Sequence, residues 1–147
     1  MSPRPVILEV VARTLYWVIL AASAWVLLRG HNEPGGGFIG GLVAVSASVL
    51  WGIAHGPAAA MRRLPTGSPL VLGTLGVALA AVSGVPAWWY GDAFLTHLWS
   101  ELPLGFTSLP ISTVLAFDLG VFLAVWGALA GYALGLLAVE EGAEERT

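Results

Sequence analysis

The chain contains no cysteine, and only 10% of its 147 residues are charged. Without cysteine it cannot form disulfides, use a thiolate in chemistry, or hold zinc or an iron–sulfur cluster through sulfur ligands. Charged residues make up about a quarter of a typical soluble domain. Apolar residues make up 57% of this chain, and a soluble fold could not bury that much apolar surface. The composition therefore predicts an integral membrane protein.

The few charges are clustered, and long apolar segments lie between the clusters. A spanning helix needs about 20 consecutive, mostly apolar residues. We predict an all-α fold, a single membrane domain over residues 1–147, with transmembrane helices at about 6–28, 36–55, 69–89 and 111–139. Apolar residues at helical spacing predict a short interfacial amphipathic helix between the third and fourth spans, at about 92–102.

An even number of spans places both termini and the middle loop on one side of the membrane. That side carries Arg4, Arg13, Arg62 and Arg63, whereas the opposite side carries Arg29. Loops rich in arginine and lysine stay in the cytoplasm. We therefore expect both termini to be cytoplasmic.

Small residues recur at every fourth position in the later spans. In lipid, such rows mark faces where another helix approaches closely. The predicted helix-packing residues are Gly40, Gly76, Ala80, Gly84, Gly127 and Gly131.

Asp118 is the ionisable residue that lies well inside an apolar span. It follows Ile111 by seven positions, which is about 10 Å along a helix. Helical geometry places Asp118 roughly opposite the small ridge at Gly131 and Gly135. If that ridge packs within the bundle, the Asp118 face must be covered by another polypeptide or reached by an aqueous cavity. Two roles stay open: a fixed hydrogen bond to a neighbouring helix, or proton or cation movement.

A glycine-rich segment joins the first two spans. Its polar residues leave the membrane, Pro34 fixes a turn, and the glycines let a helix start tightly against its neighbours. This predicts a tight or re-entrant connection, with anion or partner binding as the alternative. The candidate loop and partner-contact residues are Arg29, His31, Asn32, Pro34, Gly35, Gly36, Gly37 and Phe38.

No enzymatic site is expected. His31, His55 and His97 are scattered without metal-ligand spacing, and no nucleophile has a base nearby. A Walker-type nucleotide loop is excluded because no Lys-Ser/Thr pair follows the glycines. The sequence predicts no catalytic residue, no metal, no cofactor and no nucleic-acid partner.

The segment RGHNEPGGGFIGGLV, from Arg29 to Val43, closely resembles a motif of the B subunit of multisubunit Mrp (Mnh) type Na+/H+ antiporters. The segment STVLAFDLGV, from Ser112 to Val121, is similar to that family's second motif. The resemblance implies a four-span subunit of the bacterial inner membrane that assembles with other hydrophobic subunits. It also implies that the assembled complex exchanges Na+ for H+.

Two functions follow from this resemblance and from the residues. The favoured one is an accessory subunit of a cation/proton antiporter, with Asp118 as the ion-pathway candidate. The alternative is a structural subunit of a related complex I-like or membrane-bound hydrogenase assembly, without an ion-conducting role. In either case the expected surroundings are other hydrophobic subunits and membrane lipid.

Overall fold

The computed structural model of the protein describes residues 6–29, 36–89, 91, 93, 95–96, 99–103 and 108–144. The elements in chain order are α1 (Val6–Arg29), α2 (Gly36–His55), α3 (Pro57–Arg63), α4 (Pro69–Val82), α5 (Val85–Trp89), β1 (Trp99–Pro103), β2 (Ser108–Ser112) and α6 (Thr113–Glu144).

Four helices of the described chain are long and apolar enough to cross a membrane. They run over Leu8–Arg29, Gly36–His55, Pro69–Trp89 and Thr113–Ala143. Helices satisfy every backbone hydrogen bond within one segment, which is what a bilayer requires of a spanning element. The predicted fold with four transmembrane helices is confirmed.

A proline opens each of the helices α3 and α4. Pro57 opens α3 after Gly56, whose φ of 92° is in the left-handed region that glycine adopts without a steric penalty. Pro69 opens α4, and the Ser68 side chain accepts a hydrogen bond from the amide of Val71 at 3.4 Å. The third span is interrupted by a turn between α4 and α5, so it is two helical segments rather than one.

The central pair of helices is α2 and α6. Helix α1 packs along α2, α4 packs along α6, and the short α3 contacts both α2 and α6. In the described part of the chain, α4 makes no extensive contact with α1 or α2. The spanning helices therefore follow the order α1, α2, α6, α4 as a row, which leaves broad apolar faces exposed on α1 and α4.

The region before α6 differs from the prediction of an interfacial helix at about 92–102. Residues Trp99–Pro103 form a strand that pairs antiparallel with Ser108–Ser112, with Trp99 opposite Ser112 and Pro103 opposite Ser108. Leu95 has a φ of 66°, which a right-handed helix does not allow. The interfacial helix is therefore wrong at these residues, and positions 92, 94, 97 and 98 lie outside the described residues.

Candidate functional site

The glycine-rich start of α2 packs against α6 at Asp118. A Cβ atom added at Gly37 would overlap the carbonyl oxygen of Asp118 and would lie 3.0 Å from its carbonyl carbon. The contact is therefore made between the two main chains, and only glycine permits it. The two segments that the sequence singles out, which are 81 positions apart, meet at this point.

Glycines continue this close packing along α2. An added Cβ at Gly41 would lie 3.0 Å from the carbonyl oxygen of Phe122, and one at Gly40 would lie 3.1 Å from the carbonyl oxygen of Ser23 on α1. The Ser23 hydroxyl is buried and donates a hydrogen bond of 3.0 Å to the carbonyl oxygen of Gly40. The N-terminal half of α2 is thus held between α1 and α6, which fixes its position relative to Asp118.

Asp118 lies in the second turn of α6 and is half-buried. Neighbours on its side of the helix, Phe122 and Val125, are packed against α2 of the same chain. The sequence predicts that another polypeptide or an aqueous cavity covers this face, whereas α2 of the same chain packs against part of it. Helix α2 covers the main chain at Asp118, because its glycines bring the two helices together there.

The small ridge of α6 packs on α4. An added Cβ at Gly127 would overlap the amide nitrogen of Gly73 and would lie 2.7 Å from the carbonyl oxygen of Pro69. One at Gly120 would lie 2.8 Å from the Cβ of Ala80. Helix α6 is thus covered on one side by α2 and on another by α4, with Asp118 at the α2 side.

The other predicted residues are distributed around this contact. Arg29 is the last residue of α1 and is exposed, and Phe38 is 52% exposed. Gly36 is buried at the start of α2, and Gly84 is buried in the turn after α4. Gly131 lies against the Pro69 ring, at 3.0 Å from an added Cβ. His31, Asn32, Pro34 and Gly35 lie outside the described residues.

An apolar groove of about 900 Å³ runs between α4 and α6, and Phe38 of α2 closes one part of it. Its walls include Gly73, Val77, Ala128 and Leu129. It exists because small residues on both helices leave space beside their line of contact. None of the residues that line the groove is charged.

A buried polar contact joins α2 to α6 within their spanning segments. The indole nitrogen of Trp126 donates to the Ser48 hydroxyl at 2.8 Å, and that hydroxyl donates to the carbonyl oxygen of Ala44 at 3.2 Å. Hydrogen bonds of this kind between helices in lipid contribute about 1 kcal/mol. This contact fixes how α6 is rotated against α2, and with it the direction of Asp118.

Sequence reasoning missed one cluster. Arg63 lies over the rings of Tyr16, Trp17 and Trp51, and His55 stacks on Trp51. These residues come from three elements, α1, α2 and α3, so their spacing in the sequence does not bring them together. The sequence signal in this cluster is the Arg62-Arg63 pair, which by itself indicates only the orientation in the membrane.

Comparison with known proteins places these features in a family. The family model described as a domain related to the MnhB subunit of Na+/H+ antiporter matches residues 7–131. The B subunit of the Na(+)/H(+) antiporter of Bacillus subtilis (strain 168) is 40% identical over 124 residues, covering 82% of this chain and 85% of the relative. The corresponding protein of Alkalihalophilus pseudofirmus is 35% identical over 125 residues, covering 83% of this chain and 85% of the relative. A putative antiporter subunit mnhB2 of Staphylococcus aureus (strain MRSA252) is 28% identical over 137 residues, covering 92% of this chain and 96% of the relative.

A solved structure has the same fold. One polypeptide in the structure of the Mrp complex from Dietzia sp. DQ12-45-1b matches with a TM-score of 0.73 and 32% sequence identity. The match covers 90% of this chain and 14% of that polypeptide. The chain thus matches a small part of a much longer polypeptide.

Proposed function

Because this chain belongs to the family of domains related to the MnhB subunit of Na+/H+ antiporters, we propose that it is an accessory membrane subunit of a monovalent cation/proton antiporter. It acts as part of a transporter rather than as an enzyme, and it contributes to assembly and to the ion pathway. The transported ions, Na+ and H+, are handled by the complex as a whole.

The observation that carries this proposal is the contact between Gly37 and Asp118. A carboxylate inside a spanning helix is costly in hydrocarbon, so it is kept where it performs a function. The glycines of α2 let a helix start approach the main chain next to that carboxylate. Hydrogen bonding and proton exchange at the Asp118 side chain can therefore be coupled to the position of α2.

A self-sufficient antiporter needs several groups that bind two ions and switch between two accessible states. Asp118 is one carboxylate, and it cannot by itself provide the several ion-binding groups that this task requires. The exposed apolar faces of α1 and α4 suit contact with neighbouring hydrophobic subunits. In the matched Dietzia polypeptide the corresponding segment is covalently joined to a longer chain. We propose that this chain contacts a neighbouring hydrophobic segment of the complex in the same way.

Co-purification tests the assembly part of this proposal. A tagged form of the chain, extracted in mild detergent from its own membranes, is expected to bring down other hydrophobic subunits in fixed proportion. Vesicles reconstituted with that material are expected to exchange Na+ for H+. A pH-sensitive dye follows this exchange. Purification of the chain alone, or exchange that persists after the chain is depleted, would contradict the proposal.

We propose that the protein lies in the bacterial inner membrane with both termini in the cytoplasm. The absence of cysteine makes this directly measurable, because a single introduced cysteine is the sole thiol in the chain. Ala143→Cys is in the last turn of α6, and Ala93→Cys follows α5 at the other end of the helices; both positions are exposed. In intact cells lacking an outer permeability barrier, an impermeant maleimide is expected to label Ala93→Cys and to leave Ala143→Cys unlabelled until the cells are lysed. The reverse pattern would place the termini outside.

A further inference from the structure

Arg63, the last residue of α3, lies in a cradle of aromatic rings from α1 and α2. Its guanidinium carbon is 3.9 Å from the ring centroid of Trp51, 4.8 Å from that of Tyr16 and 5.2 Å from that of Trp17. A cation over an aromatic face is attracted by the negative electron density of the ring. The rings therefore hold the guanidinium in one place.

The cradle is itself rigid. Tyr16 and Trp51 are buried, and their rings meet edge to face at 5.1 Å between centroids. The His55 ring stacks on Trp51 at 4.0 Å, with an angle of 9° between the planes. The guanidinium of Arg63 and the ring of His55 both pack on the indole of Trp51. Close packing of this kind restricts the side chain of Arg63.

The charge of Arg63 is not balanced within the described chain. No carboxylate pairs with it there, and its Nε atom is enclosed without a hydrogen-bond partner, as are both ring nitrogens of His55. Helices α2 and α3 contain no Asp or Glu, and Glu9 on α1 precedes Tyr16 by seven residues, about 10 Å along the helix. Helix α6 also contacts α3, and its carboxylates at this end of the helices, Glu140 and Glu141, are exposed. Aromatic rings attract a cation but do not neutralise it. A partly buried charge of this kind favours the binding of an anion.

Two further arginines lie at the same end of the helices. Arg62 is exposed and adjacent in sequence, and Arg13 is exposed on α1 one turn before Trp17. The polar turn at residues 66–68 follows closely, which marks the level where the chain leaves the hydrocarbon. Beside the arginines, α1 presents apolar side chains, with Trp17 59% exposed and Val18 57% exposed. The surface is thus cationic at the membrane boundary and apolar below it, which matches the two parts of a phospholipid.

We propose that Arg63, together with Arg62 and Arg13, binds the phosphate group of an anionic phospholipid. The planar guanidinium offers paired donors that fit phosphate oxygens, and basic clusters at the ends of spanning helices bind anionic headgroups. The aromatic cradle orients Arg63 before the lipid arrives. The acyl chains run along the exposed face of α1 next to Trp17. This inference does not depend on which ions the complex transports.

Photolabelling of the intact complex tests the site. The complex is placed in phosphatidylcholine nanodiscs with a small fraction of phosphatidylglycerol that carries a diazirine close to its glycerol. Label is expected in peptides that contain Trp17 or Arg62, and unlabelled phosphatidylglycerol is expected to compete with it. Arg63→Gln is expected to lower this labelling about fivefold, which corresponds to about 1 kcal/mol for one arginine near a membrane surface. Arg146→Gln, which removes the same charge from the C-terminal tail, is expected to leave labelling unchanged.

Several outcomes would overturn the proposal. An anionic headgroup would be ruled out as the ligand if Arg63→Gln were labelled as strongly as wild type. The same conclusion would follow if phosphatidylcholine displaced the label as well as phosphatidylglycerol does. Displacement by millimolar inorganic phosphate would point to a free anion instead of a lipid. A photoreactive residue at position 62 that cross-links to another subunit would show that a protein covers the site. If Arg63→Gln fails to assemble, Arg62→Gln, which changes an exposed side chain, must show the same loss of labelling.

Discussion

Replacing Gly76 with alanine is expected to force α4 away from α6 and to destabilise the protein strongly. A Cβ atom at this position would overlap the main-chain nitrogen of Ala124 and would lie 2.6 Å from the carbonyl oxygen of Gly120. Main-chain atoms of a helix cannot move aside as a side chain can. Forcing extra atoms into a packed interface costs about 1–3 kcal/mol. In lipid that interface depends on close packing, because no hydrophobic effect drives helices together there.

The measurement is the amount of assembled complex on a native gel, and its thermal denaturation midpoint, for Gly76→Ala and for wild type. Gly135→Ala is the matched control, because it adds the same methyl group to α6 at a place where no other helix lies within 4 Å of the new Cβ atom. We expect Gly135→Ala to behave as wild type and Gly76→Leu to abolish assembly. Equal behaviour of Gly76→Ala and Gly135→Ala would mean that α4 and α6 are not in main-chain contact.

The second large effect is expected at Asp118. Asp118→Asn keeps the size of the side chain and removes its charge. Since the close approach to Gly37 is made by the main chain of Asp118, the substitution should leave the packing of α2 on α6 intact. If the carboxylate passes protons, the loss of exchange should be about a hundredfold or more, the lower range for a positioned proton-transferring group.

Exchange should be measured in inverted vesicles after a native gel has shown that the Asp118→Asn complex assembles. Glu140→Gln is the matched control: it also neutralises a carboxylate of α6, but at an exposed position near the end of the helix. It should retain full exchange. Normal exchange in Asp118→Asn would remove Asp118 from the ion pathway, and loss of assembly would support the structural alternative, in which its side chain fixes neighbouring helices.

The hairpin before α6 shows where local patterns mislead. Apolar residues between 94 and 102 recur at helical spacing, yet Trp99–Pro103 forms a strand. A helix of about ten residues is marginal by itself, so its pattern alone does not decide its conformation. The strand is stabilised by main-chain pairing with Ser108–Ser112, a contact between separate segments that spacing within one segment cannot report.

Asp118 shows the same limit at the candidate site. Helical geometry separates its face from the small ridge of α6, and Gly127 and Gly131 of that ridge lie against α4. The sequence could not tell that α2 of the same chain covers the other side. The cover by α2 depends on the packing order α1, α2, α6, α4. That order follows from close contacts at glycines on α2, α4 and α6.

The amino-acid sequence by itself determined the four spanning helices, because their apolar content and length leave a lipid bilayer as the suitable solvent. It also marked the glycine-rich segment and Asp118 as unusual, because each carries residues that a simple spanning helix does not need. Only the tertiary structure decided that Gly37 lies against Asp118 and that Arg63 lies on Trp51. Both contacts join separate elements of the chain, and their existence depends on how closely the helix main chains approach one another.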